Sequence, residues 1–149
     1  MVSGSESLPG SKLMQKSREE MITEFHRAFE QGVHEEPTVE VLKLRRTLIH
    51  EETKELCVDM DEAIALLEQG KEVPHKLYVN MLKELADVQV VLSGASVALK
   101  PLAQLEEAFT RVHQSNMSKL GKDGKPILRE DGKVLKGPNY FKPDLNDLV

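Results

Sequence analysis

TVEVLKLRRTLIHEETKELCVDMDEAIALLEQ, residues 38–69, is the stretch that decides the fold. It holds no Gly and no Pro. Val41, Leu44 and Leu48, then Leu56, Ala63 and Leu67, recur at the three-and-four spacing of a helix face rather than the alternation of a strand. The spacing predicts one long helix with room for a bend midway, closed at Gly70.

Working outward, Ser17 and Glu20 form a Ser-x-x-Glu capping box, and Met21, Ile22, Phe25, Ala28 and Phe29 follow at helical spacing. A first helix over about 18–31 is expected, broken by the segment from Gly32 to Pro37. Pro74 suits the first turn of a third helix, about 74–98, with Leu77, Met81, Leu85, Val88 and Leu92 inward. Pro101 opens a fourth, about 101–119, with Leu102, Leu105, Phe109 and Val112 inward. The fold class expected is all-α: an antiparallel four-helix bundle with one long helix. Beyond Gly121 the Asp123-Gly124-Lys125 and Asp131-Gly132-Lys133 repeats predict a short hairpin or loop tail, with Ile127 and Leu128 facing Val134 and Leu135. The organisation is thus a loose arm over 1–16, a helical domain over 17–120, and a basic Gly/Lys-rich segment over 121–149.

At 149 residues the chain fits one domain. Aromatic residues are only 4%, so the core must be aliphatic, as helix packing prefers. No apolar run approaches the roughly 20 residues of a membrane span, and no basic-apolar signal opens the chain, so a cytoplasmic protein without membrane contact is expected. The single Cys57 excludes an internal disulfide. Residues 1–110 carry 12 Lys/Arg against 20 Asp/Glu, and residues 111–149 carry 8 against 5. An acidic body argues against stable nucleic-acid binding, whereas an acidic body with a basic tail suits a ligand that carries metal ions and phosphates together.

The acids have a pattern. Glu52 follows Leu48 by four residues and Glu55 follows Glu52 by three, which continues the inward stripe of the long helix. Glu84 follows Met81 by three, and Asp87 lies one turn on. Glu51 adds a fifth acid, and no Lys or Arg shares their stripe. Inward carboxylates are costly unless paired or metal-bound. Oxygen-only ligands favour Mg²⁺ or Mn²⁺. A di-iron bundle would want helical Glu-x-x-His pairs, and here Glu72 and His75 are separated by Pro74. The bland alternative is a solvated acidic face.

Glu51-Glu52-x-x-Glu55 followed by Glu84-x-x-Asp87 resembles the E-E-x-x-E…E-x-x-D signature of the all-α nucleoside triphosphate pyrophosphohydrolases, the superfamily of MazG proteins, all-α dUTPases and phosphoribosyl-ATP pyrophosphohydrolase. Glu24-Phe25-His26-Arg27-Ala28, Leu44-Arg45-x-Thr47-Leu48 and Val112-His113-x-x-Asn116-x-Ser118-Lys119 are similar to the MazG-like branch, so the likeness spans about 18–143. The resemblance implies Mg²⁺ (or Mn²⁺) held by Glu52, Glu55, Glu84 and Asp87, with Glu51 as a further ligand or the base that orients water. It implies triphosphate contacts from Asn116, Lys119, Lys122, Lys133, Lys136 and Tyr140. Phe25 and His26 become candidates for the nucleobase pocket, against a plain reading of Phe25 as core and His26 as structural. It also implies a homodimer or dimer of dimers that borrows residues between subunits. The expected activity is hydrolysis of a (deoxy)nucleoside triphosphate, with dUTP or another non-standard dNTP leading, to monophosphate and pyrophosphate. A phosphoribosyl-ATP pyrophosphohydrolase is the runner-up enzyme, and a non-enzymatic bundle binding a nucleotide or partner is the alternative from another class. The Asp-Gly-Lys repeat is not part of the general signature.

Overall fold

The computed structural model describes residues 15–149, so all but the last two positions of the arm expected over 1–16 lie outside the described residues. The fold is all-α, as expected. Its helices are α1 (Arg18–Ala28), α2 (Val39–Glu68), α3 (His75–Ala98) and α4 (Leu105–Met117), with 3₁₀ turns at Lys100–Leu102 and Asn146–Leu148.

Local chemistry sets each boundary. The Ser17 hydroxyl accepts from Glu20 N at 3.1 Å, and the Glu20 carboxylate accepts from Ser17 N at 2.8 Å, so the capping box is complete. The Thr38 hydroxyl accepts from Val41 N at the start of α2. At the other end Gly70 N donates to Leu67 O and Lys71 N to Leu66 O, both at 2.9 Å, while Gly70 adopts φ +68°. This is a Schellman closure, and it needs the left-handed backbone that glycine adopts without strain. The helix expected over 101–119 is instead divided. Pro101 sits in a 3₁₀ turn clamped to α3 by the Ser96 hydroxyl, which donates to Leu102 O at 2.8 Å, and α4 starts only at Leu105.

The main seam joins α2 to α3, α1 packs on α3, and α4 engages the other helices least. Arg45 on α2 meets Gly94 on α3, and Glu52 feels Glu84 and Asp87, so numbers rise along one helix as they fall along the other and the pair is antiparallel. The buried positions are Arg45, Leu56 and Ala63 on α2, and Leu77, Val91, Ser93, Gly94, Ser96, Val97 and Ala98 on α3. Leu44 is a correction: it was expected inward but is exposed, because Arg45 takes the position facing α3 and the next residue round lies about 100° away. Leu67, Leu85, Leu92, Leu102, Phe109 and Val112 are also exposed despite their helical spacing. Periodicity identifies an apolar face, but a single protomer has too few helices to cover every such face.

The segment between α1 and α2 folds onto the end of α3. His34 N donates to Val97 O at 2.7 Å, Glu35 N to Ala98 O at 2.9 Å, and Lys100 N to Glu35 O at 2.9 Å. The first two bonds satisfy carbonyls that the last turn of α3 would otherwise leave orphaned, and the third engages the Lys100 amide just beyond it. Beyond α4 the chain forms the expected small hairpin. Leu128 bridges Val134, and Leu135 N donates to Ile127 O. Both Asp-Gly-Lys repeats fold alike: the Asp123 carboxylate accepts from Lys125 N, and that of Asp131 from Lys133 N. The tail then runs back along α4. Ser115 donates to Phe141 O at 2.7 Å, Phe141 N donates to the Ser118 hydroxyl, and Arg111 grips Asp147. Gly137 passes so close to the turn after α4 that a Cβ there would lie 2.2 Å from Leu120 O.

Candidate functional site

The α2–α3 seam carries carboxylates where its apolar contacts stop. Glu52 lies between Leu48 and Leu56 on the α3-facing side of α2, and Glu84 lies between Met81 and Val88 on the α2-facing side of α3. Helical periodicity that continues a hydrophobic stripe therefore directs both acids at the opposing helix. Oxygens of Glu52, Glu55 and Glu84 all fall within 4.8 Å of one another. Glu52 and Glu84 are half-buried, whereas Glu55 is exposed at the edge of the group. Glu84 Oε2 is buried and has no hydrogen-bond partner.

The electrostatics follow from this crowding. Burial raises the Glu52 pKa above the ordinary carboxyl value, and the nearby charges of Asp87, Glu55 and Glu84 raise it further. Lys83 opposes them. Its Nζ lies 2.7 Å from Asp87 and 3.3 Å from Glu84, and these hydrogen bonds push its own pKa well up. The expectation that no cation neutralises the acids is thus corrected. Lys83 comes from the neighbouring face of α3 and reaches the acids across the helix surface. The spacing of Lys83 and Asp87 at four residues was the available signal. It is an exposed head group on one flank, and it forms no ion pair with Glu52 or Glu55.

Glu51 is exposed and, with Glu55 and Glu84, lines an open groove of about 600 Å³. Asp59 lines the same groove one turn beyond Glu55, a residue that sequence reasoning passed over although the spacing puts it on the same flank.

No protein-family model and no curated protein matches this sequence.

The remaining candidate residues lie in two other places. Asn116, Lys119, Lys122, Lys133, Lys136 and Tyr140 belong to the end of α4 and the tail. The Lys119 ammonium donates to the Asn116 side chain at 2.9 Å, and Lys136 stands 4.8 Å over the Tyr140 ring. Among the described residues, no ion pair joins this basic group to the carboxylates. Phe25 is 44% exposed, not core, and its ring packs on Phe29 at 4.6 Å. His26 is only 2% exposed, its Nδ1 lies 2.8 Å from Gly32 O, and burial lowers its pKa. The ring therefore favours the neutral form with the proton on Nδ1, which makes Nδ1 the donor to Gly32 O.

Chemically, the cluster offers several oxygen donors from two rigid helices and no nitrogen or sulfur. That donor set suits hard divalent ions.

Proposed function

We propose that the chain is a Mg²⁺-dependent pyrophosphohydrolase of the all-α nucleoside triphosphate class, acting on a (deoxy)nucleoside triphosphate such as dUTP. The observation that carries this reading is the convergence of Glu52, Glu55 and Glu84 within 4.8 Å, with Glu52 destabilised in its charged form and Glu84 holding an orphaned buried oxygen. A purely structural acidic face has no reason to assemble that repulsion across a helix seam.

Glu52, Glu55, Glu84 and Asp87 are the residues that would hold the metal, and the bound ion would neutralise phosphate charge and acidify water. Glu51 opens onto the same groove and has the freedom to orient and deprotonate the attacking water. Lys83, paired here with Asp87 and Glu84, would be able to turn its ammonium to a phosphate oxygen if those acids held a metal. Asn116, Lys119, Lys122, Lys133, Lys136 and Tyr140 would grip the triphosphate, and, as no ion pair among the described residues joins them to the acids, the arrangement suits a homodimer or dimer of dimers in which one protomer's tail serves the other's acids. The exposed Leu82, Leu85 and Leu92 of α3 support such an assembly, because an apolar row on one helix face ordinarily has a partner.

A turnover panel of canonical and non-standard nucleoside triphosphates with Mg²⁺, quantifying monophosphate and pyrophosphate, tests the proposal. Wild type should release both from one substrate, and Glu52→Gln should lose at least about a hundredfold in kcat. Absence of turnover on every substrate, or turnover untouched by the substitution, would leave a non-enzymatic bundle.

A further inference from the structure

Arg45 is a buried charge that the fold leaves without a counter-ion. Only 7% of its surface is exposed. Its Nη2 donates to the Gln31 side chain at 3.2 Å, and its Nε is buried with no partner at all. Among the described residues, no carboxylate lies within ion-pairing distance. His26, its titratable neighbour across α1, is held neutral by burial and supplies no negative charge. A guanidinium does not deprotonate to escape such a setting, and an unpaired buried cation is costly.

The surroundings are shaped around this group. Gly94 sits in the interior of α3, where glycine weakens a helix, and a Cβ there would lie 3.1 Å from Arg45 Nη1. The glycine leaves the guanidinium room that a Cβ would crowd. Arg45 also lines an open groove of about 760 Å³ between the first half of α2 and the end of α3. Arg46, Thr47 and His50 bring further donors to it, and Leu99 and Leu102 give it an apolar side. Its one acid is Glu51, at the junction with the carboxylate groove.

We propose that this groove is a binding site for an organic phosphate, with Arg45 and Arg46 taking the oxyanion and the exposed Leu102 seating an apolar or planar body. A phosphate held in the groove would supply the counter-charge that the Arg45 guanidinium lacks, and exposed Arg46 would offer it the planar fork that guanidinium presents. The site uses neither the clustered carboxylates nor a metal, so it does not rest on the hydrolase reading.

Calorimetric titration of the full chain in EDTA with uridine monophosphate and with inorganic pyrophosphate tests it, because removing metal silences the acid cluster. Saturable binding is expected for both ligands, tighter for the monophosphate. Arg46→Gln, an exposed position that should fold normally, should weaken both at least fivefold, and Arg45→Met should abolish them. Leu102→Asp should remove only the preference for the monophosphate. Lys71→Gln, an exposed position outside the groove, should leave both affinities unchanged. Lack of saturable heat up to 10 mM ligand, or wild-type affinity in Arg46→Gln, overturns the proposal. So does binding lost in Lys136→Gln, which would assign the anion to the basic tail. Failure to bind together with dissociation of a wild-type oligomer by Arg46→Gln, seen by light scattering, also overturns it, because the counter-charge is then a carboxylate of a second copy. If Arg45→Met does not fold, Arg46→Gln and His50→Gln still decide the matter.

Discussion

Glu52→Gln should stabilise the protein without metal and make it blind to metal. Two ionised carboxylates 4.8 Å apart repel by ~1 kcal/mol in water and ~3.5 kcal/mol at an effective dielectric of about 20. Glu52 takes part in two such pairs, with Glu55 and Glu84, while Lys83 relieves the second from one side. A net gain of about 1–2 kcal/mol in EDTA at pH 7 is expected for the amide, or ~2–8 °C in Tm for a chain of this size. Wild type should gain on adding Mg²⁺: at a concentration 100 times Kd the linkage amounts to about 2.7 kcal/mol. The two melting curves should therefore cross, with the variant above wild type in EDTA and below it, or level, in saturating Mg²⁺. The pH dependence has a definite sign. Glu52 has its pKa raised on folding, so the native state holds its proton to higher pH than the unfolded chain does. Its penalty is absent below the unfolded carboxyl pKa of about 4.3 and develops as pH rises through the folded value. The advantage of the variant in EDTA should vanish near pH 4. Differential scanning calorimetry at pH 4 and 7, with and without Mg²⁺, measures all of this. A variant less stable than wild type in EDTA, or one that retains the full Mg²⁺ shift, would refute the reasoning.

Lys83→Ala should lower Tm in EDTA by unmasking repulsion between Glu84 and Asp87, and should tighten Mg²⁺ binding severalfold in a calorimetric titration, because a competing cation is gone. Gly70→Ala should cost about 1 kcal/mol in urea unfolding, since φ +68° strains any residue with a Cβ while nothing crowds the site. Ser115→Ala should cost ~1–2 kcal/mol by leaving Phe141 O without its donor, and hydrogen exchange should show protection lost first in the tail that runs along α4.

The fold class was legible because long helical periodicity without Gly or Pro has few other meanings, and caps such as Ser17 and Gly70 act through their immediate neighbours. The face that each helix buries was less legible. Leu44 and Arg45 are candidates for the same seam position, and Arg45 takes it beside Gly94, where a Cβ would lie 3.1 Å from Nη1. That is a contact between residues far apart in sequence, invisible to a periodicity count. The convergence of Glu52, Glu55 and Glu84 was readable because it needs only phase on two antiparallel helices. The pairing of Lys83 was not read, because a stripe analysis ignores side chains long enough to reach around a helix.

The strap of residues 34–36 over the end of α3 has a kinetic consequence. Its bonds to Val97, Ala98 and Lys100 join positions more than sixty residues apart, and Glu36 adds an ion pair to Lys100 at 2.9 Å. Closing so large a loop is entropically unfavourable until the α2–α3 hairpin has brought the ends together, after which little chain remains to be ordered. Folding should then proceed from the hairpin outward, with α1 docking last as the strap engages. The amides of His34, Glu35 and Lys100 should open and exchange as one cooperative unit, so that the beginning of the chain and the end of its third helix live and melt together.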